Sequence, residues 1–131
     1  MKRSDIHNRT DIELLVNKFY THVRADELIG PIFQEAIGDQ WPKHLAKMYT
    51  FWETVLLDQH TYSGAPFMPH ARLPIGTQHF DRWLQLFDLT LDTYFDGPVA
   101  DDARARAAKM AVMFQAKLQY LKDHGSFRPI F

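Results

Sequence analysis

The sequence predicts an all-α protein, and three observations carry that expectation. Apolar side chains recur every three or four residues in four separate segments; glycine and proline interrupt the stretches between them; and no segment alternates with the period of two that a half-buried strand requires. At 131 residues, the chain has the length of one domain, expected to span 1–131.

Thr10-Asp11-Ile12-Glu13 has the form of a capping box, so the first helix is expected to begin there. Ile12, Leu15, Val16, Phe19 and Val23 follow at helical spacing, with Tyr20 beside that face. Gly30-Pro31 interrupts the stretch from Asp26 to Phe33 and is read as leaving room for a turn or a single helical turn. Asp39 precedes a second long helix, with Trp41, Leu45, Met48, Trp52 and Val55 on one face and a stop near Leu57. Pro42 is tolerated in its first turn.

From Asp58 to Gly76 the pattern changes, because Gly64, Pro66, Pro69, Pro74 and Gly76 break any regular period. This stretch is read as a long ordered loop, and loops of that length inside a compact domain are usually functional. Thr77 can cap a third helix with Phe80, Trp83, Leu84, Phe87, Leu91 and Tyr94 on its apolar face, ended by Gly97-Pro98. Asp101 and Asp102 suit the positive end of a fourth helix, in which Ala103, Ala107, Met110, Phe114, Leu118 and Leu121 keep helical spacing to about Lys122.

Composition narrows the function. Hydrophobic residues make up 46% of the chain and aromatics 14%, enough for a well-filled core. Fifteen Lys and Arg against sixteen Asp and Glu give a formal charge of -1 without a basic stripe, so a nucleic-acid partner has no support and a small molecule is the expected one. Cysteine is absent, which excludes disulfides, thiolate catalysis and cysteine-ligated metals and fits a reducing cytoplasm. The N-terminus does not read as a signal peptide, and no apolar run is long enough for membrane insertion.

Seven histidines are present, none in a His-Glu-x-x-His pattern, and Glu-x-x-His is missing too, which argues against zinc-protease and di-iron sites. The Walker, Gly-x-Gly-x-x-Gly and Gly-x-Ser-x-Gly signatures are also unfilled. His70 stands out within the Pro-rich loop, just ahead of an aromatic helix. An irregular segment can aim an imidazole at a metal, and imidazole is a common axial donor to haem iron, although a lone loop histidine is far more often solvated or capping. Tyr20 and Trp83 read as amphipathic core residues, and His44, on the same helix side as Met48, as facing a cavity or the core edge.

Four segments together resemble the truncated haemoglobins, the third of their three groups in particular. They are Phe19-Tyr20 with Gly30-Pro31-Ile32-Phe33 downstream; Trp41-Pro42-Lys43-His44 leading to Phe51-Trp52; His70-Ala71-Arg72-Leu73-Pro74-Ile75; and His79-Phe80-Asp81-Arg82-Trp83-Leu84-Gln85-Leu86-Phe87. The likeness spans nearly the whole chain in order. The first two groups carry Gly-Gly pairs at helix junctions, whereas the six glycines here include no adjacent pair, as the third group would have it.

The resemblance implies a shortened globin fold in which two antiparallel helix pairs sandwich the haem and an irregular loop carries the proximal histidine. It implies haem b as cofactor, His70 as the iron ligand, and Tyr20, Trp83 and His44 as distal residues. Phe33 and Met48 would contact the haem, Met48 departing from the aliphatic residue more usual at its place. Lys47 would meet a propionate, with Arg72 a second candidate by its nearness to His70. The implied function is binding of oxygen, carbon monoxide or nitric oxide, in oxygen or nitrosative-stress chemistry, with any turnover needing an external reductase. Two alternatives stand beside it: a peroxidase-like haem enzyme, with His44 shuttling protons, and a haem-free helical interaction domain.

Overall fold

Asn8, two residues ahead of the expected capping box, starts the first helix of the computed structural model, which describes residues 3–57 and 76–124, the last four by backbone alone. Its side-chain oxygen accepts from the Asp11 amide at 3.0 Å, and the Asp11 carboxylate turns back to accept from the His7 amide at 2.8 Å. That reciprocal arrangement does what the Thr10 and Glu13 pair was expected to do. Helix α1 then runs Arg9–Ala25 and buries Ile12, Leu15, Val16, Phe19, Tyr20 and Val23.

A second correction follows at Gly30-Pro31. These residues open a helix, α2, Gly30–Ile37, of two turns. Proline in the first turn forgoes an amide that would have no partner there, so it starts the helix where it was expected to interrupt one. The corner before it is organised by Asp26, whose carboxylate accepts from the amides of Leu28 and Ile29, both at 3.0 Å.

Helix α3 spans Trp41–Leu57 and ends where the sequence predicts. Its buried side chains are Trp41, Phe51 and Trp52, while Leu45, Met48 and Val55 pack against the core half-buried. Helix α4, Thr77–Tyr94, is entered from Gly76, not capped by Thr77: the Gly76 amide donates to His79 Nδ1 at 2.8 Å. It buries Phe80, Leu86, Phe87, Thr90 and Leu91 and leaves Trp83 and Leu84 only partly covered.

Helix α5, Pro98–His124, begins three residues before Asp101, again with proline in its first turn. Its cap comes from the far end of the chain, where Asp5 accepts from the amides of Val99 and Ala100, each at 2.9 Å. Ala100, Ala103, Ala107 and Ala111 are all buried along α5 and let it lie close on α4. Helix α1 packs against α2, α3 and α4. The main core gathers around it, and a second cluster of Phe80, Ala111, Phe114 and Leu118 lies between α4 and α5.

Among the described residues there is no strand, only an isolated bridge between Ser4 and Phe95, so the chain is all-helical as expected. No described helix is long and apolar enough to cross a membrane. His70 and Arg72, with the rest of the loop expected from Asp58 to Gly76 up to residue 75, lie outside the described residues.

Candidate functional site

Three helices bring polar groups into an aromatic wall. From α1, Phe19 and Tyr20 point inward side by side, their rings 4.9 Å apart and tilted by 63°. From α2 comes Phe33, edge-on to Tyr20 at 6.2 Å. From α3, Trp41 and His44 pack edge-on against the same phenol at 5.7 and 5.1 Å, and against each other at 5.9 Å. Edge-to-face packing sets the positive rim of one ring against the negative face of another, which fixes orientation as well as contact.

Trp41 is itself held from outside. Its indole Nε1 donates to Gln34 Oε1 at 3.0 Å, and the Arg24 guanidinium lies 4.5 Å over its ring. A firm Trp41 in turn gives the His44 ring a fixed edge-on neighbour. His44 Nε2 and the Tyr20 hydroxyl are 3.0 Å apart, a hydrogen bond whose donor depends on the histidine tautomer. Burial pushes the Tyr20 hydroxyl above the ordinary phenol range, so it stays a neutral O–H.

From α4, Trp83 meets Phe19 edge-on at 5.6 Å and stacks on Phe87 at 5.8 Å with planes 9° apart. Phe87 in turn stacks on Trp52 at 5.0 Å. The Trp83 indole N–H makes no hydrogen bond within the described residues. Trp83 and Leu84 on α4, and Leu45 and Met48 on α3, are half-buried and pack against the main core. Lys47 is exposed on α3, one residue before Met48.

The structure therefore gathers Tyr20, His44 and Phe33 into one contact cluster and links Trp83 to it through Phe19. Phe19, Trp41 and Phe87 act as spacers between these groups; the sequence marked them as apolar-face or motif residues without assigning them that role. An open groove of about 520 Å³, lined in part by His22, Leu28, Arg82 and Leu89, shares no lining residue with this cluster. Among the described residues, no three of His, Asp and Glu converge as a metal-binding group.

The arrangement suits a flat apolar cofactor. Apolar side chains of α3 and α4 are left half-buried, a neutral phenol is bonded to an imidazole nearby in the core, and the Trp83 indole N–H has no partner among the described residues. Comparisons with known proteins agree. A family model described as Bacterial-like globin matches residues 5–117. The group 3 truncated haemoglobin of Campylobacter jejuni is 36% identical over 121 residues, covering 89% of this chain and 95% of the relative. The crystal structure of the group III truncated haemoglobin from Campylobacter jejuni superposes with a TM-score of 0.80 at 35% identity, covering 89% of this chain and 95% of that one. The chain belongs to the bacterial-like globin family, with the fold of a group III truncated haemoglobin.

Proposed function

We propose that this chain binds haem b through His70 and presents Tyr20, His44 and Trp83 to a diatomic ligand, whether oxygen, carbon monoxide or nitric oxide. Membership of a globin family implies the haem, and by the same token sets aside the haem-free interaction domain. The observation that carries the distal assignment is the 3.0 Å contact between His44 Nε2 and the Tyr20 hydroxyl inside an otherwise aromatic cluster. When bound, haem supplies an iron centre that can take such a ligand.

The chain's own residues then decide how the ligand is held. With His44 in the tautomer that carries its proton on Nε2, the imidazole donates to the Tyr20 oxygen and the phenol O–H is free to turn toward the ligand. In the other tautomer Tyr20 donates to His44, and Trp83 is left as the distal donor. Phe33 and Met48 would line the pocket, and Lys47, with Arg72, would meet the propionates through charge-assisted pairs.

A donor aimed at a partly negative ligand slows its release, which favours oxygen or nitrosative-stress chemistry over bulk storage; repeated turnover would draw electrons from an external reductase. The cysteine-free composition supports a cytoplasmic setting. The same Tyr20 and His44 contact supports a second reading, peroxidase-like chemistry in which His44 shuttles protons at the distal side and Tyr20 or Trp83 passes electrons.

The visible spectrum of the purified protein, ferric, reduced and under carbon monoxide, tests the main reading. A Soret band that shifts with carbon monoxide and is lost or altered in His70→Ala is the expected result. A colourless protein that takes up no added haem would sink it.

A further inference from the structure

The motif that supplies Trp83 also supplies its neighbour Arg82. Arg82 Nε donates to Asp26 Oδ1 at 2.6 Å, across 56 residues of sequence. Its second handhold is local, from Nη1 to Gln85 Oε1 at 3.1 Å, one turn along α4.

Asp26 is an unusually fixed partner. Its side chain is only 4% exposed, its other carboxylate oxygen accepts from the Leu28 and Ile29 amides, and its own backbone is tied at both ends. The Asp26 amide donates to the Val23 carbonyl at 3.1 Å, and the Asp26 carbonyl accepts from Gly30 at 3.0 Å. The residue therefore belongs to the corner between α1, which carries Tyr20, and α2, which carries Phe33.

We propose that the Asp26–Arg82 ion pair is a positioning strut that sets the rotation of α4 about its own axis, and so the aim of the Trp83 indole toward the distal site; this rests on the distal role proposed for Trp83. Adjacent residues on a helix lie about 100° apart around the axis, so Arg82 can be anchored to the corner while Trp83 faces the cluster. The ring contacts of Trp83 with Phe19 and Phe87 set the tilt of the indole but tolerate sliding within its plane, since stacked rings pack over a range of offsets. A directional bond at the neighbouring residue does not. On a helix about 10–12 Å across, a turn of roughly 10° carries the rim by about 1 Å, enough to spoil the geometry of an indole hydrogen bond.

The test compares Arg82→Gln, Arg82→Lys, Asp26→Asn and Trp83→Phe in the haem-loaded protein, with the double variant of Arg82→Gln and Trp83→Phe. Readouts are the C–O stretching band of the carbon monoxide complex, the oxygen release rate and the urea midpoint. Arg82→Gln and Asp26→Asn are expected to split or shift the C–O band and to speed oxygen release about 2- to 10-fold, the span that loss of one ordinary hydrogen bond covers. Arg82→Lys is expected to restore only part of the band, since an ammonium lacks the fixed fork of the guanidinium. In the Trp83→Phe background, Arg82→Gln is expected to change neither band nor rate.

A lowered urea midpoint with band and rate unchanged would make the pair a plain structural tie and overturn the strut. The strut is equally overturned if Arg82→Gln acts to the same extent with and without Trp83. If Trp83→Phe alone leaves band and rate untouched, the distal reading of Trp83 falls and takes the strut with it. An effect of Trp83→Phe without an effect of Arg82→Gln removes the strut alone.

Discussion

The Tyr20 hydroxyl and His44 Nε2 stand 3.0 Å apart although they sit on different helices, 24 residues distant in sequence. Each is a hydrogen-bond partner of the other within a cluster of rings, so removing one affects both. Tyr20→Phe is expected to speed oxygen release about 2- to 10-fold, the equivalent of one hydrogen bond of roughly 0.5–1.5 kcal/mol. Adding His44→Leu should then cost less than His44→Leu costs in the unaltered protein, because the partner is already gone. Stopped-flow release rates on the four proteins check this; additive effects would mean that the two groups act independently.

Asp5 and Asp26 give the fold a definite acid response. Burial pushes both carboxyls upward, but the amides of Val99, Ile6 and Ala100 outweigh it at Asp5, and the Ile29 and Leu28 amides with the Arg82 guanidinium do so at Asp26. Each therefore titrates below its ordinary value of 3.8. The folded chain binds fewer protons than the unfolded one in that range, so the stabilisation is complete above the ordinary value and is lost as pH falls through the folded values. Urea midpoints measured from pH 6 to pH 2.5 should drop more steeply for the native sequence than for Asp5→Asn. Asp5→Ala is expected to cost about 1 kcal/mol at neutral pH, as the loss of a helix cap does.

The helices were legible in the sequence wherever the signal was local. The apolar spacing of Ile12 to Val23 matched the buried face of α1, and on α5 the expected Ala103, Ala107, Phe114 and Leu118 are buried, with Met110 only half-buried. What sequence reading misplaced were the starts. Gly30-Pro31 looked like an interruption because proline ends a helix from within but opens one from its first turn, and the carboxylate that prepares the corner, Asp26, lies four residues earlier. Asp5 at the start of α5 was invisible for a simpler reason: a cap 94 residues away leaves no spacing to read. On α4, the periodicity picked out Trp83 and Leu84 as core, yet both are only half-buried, because helical spacing marks an apolar face without saying how deeply each position on it is covered. Tyr20, Trp83 and His44 carried no special mark as separate residues; the ordered set of motifs pointed to them. The ion pair of Arg82 with Asp26 could not have been found that way.

Gly30 is required by the closeness of α1 and α2. A Cβ there would lie 2.9 Å from the Arg24 carbonyl oxygen and 3.0 Å from that of Val23, both backbone atoms at the end of α1. Neither can give way without moving the corner that holds Asp26. Gly30→Ala is expected to destabilise by about 1–3 kcal/mol, as overpacking typically does, measured as a lower urea midpoint. An unchanged midpoint would mean that the corner has slack.

The alanines of α5 make a complementary prediction. Ala103, Ala107 and Ala111, each at 0% exposure, follow one another at four-residue intervals on the face turned to the core. Small side chains at that spacing let the backbones approach, and the space is already filled by neighbours such as Leu91 and Phe87 in the main core and Phe80 in the smaller one. Ala107→Leu forces three extra carbon atoms into that seam and is expected to cost about 1–3 kcal/mol. Ala108→Leu, one position round the helix and exposed, should stay within about 0.5 kcal/mol of the unaltered protein. Thermal or urea unfolding of the pair reads the difference directly: a large cost at both positions would point to helix propensity or association, and a cost at Ala107 alone to close packing of α5 on the core.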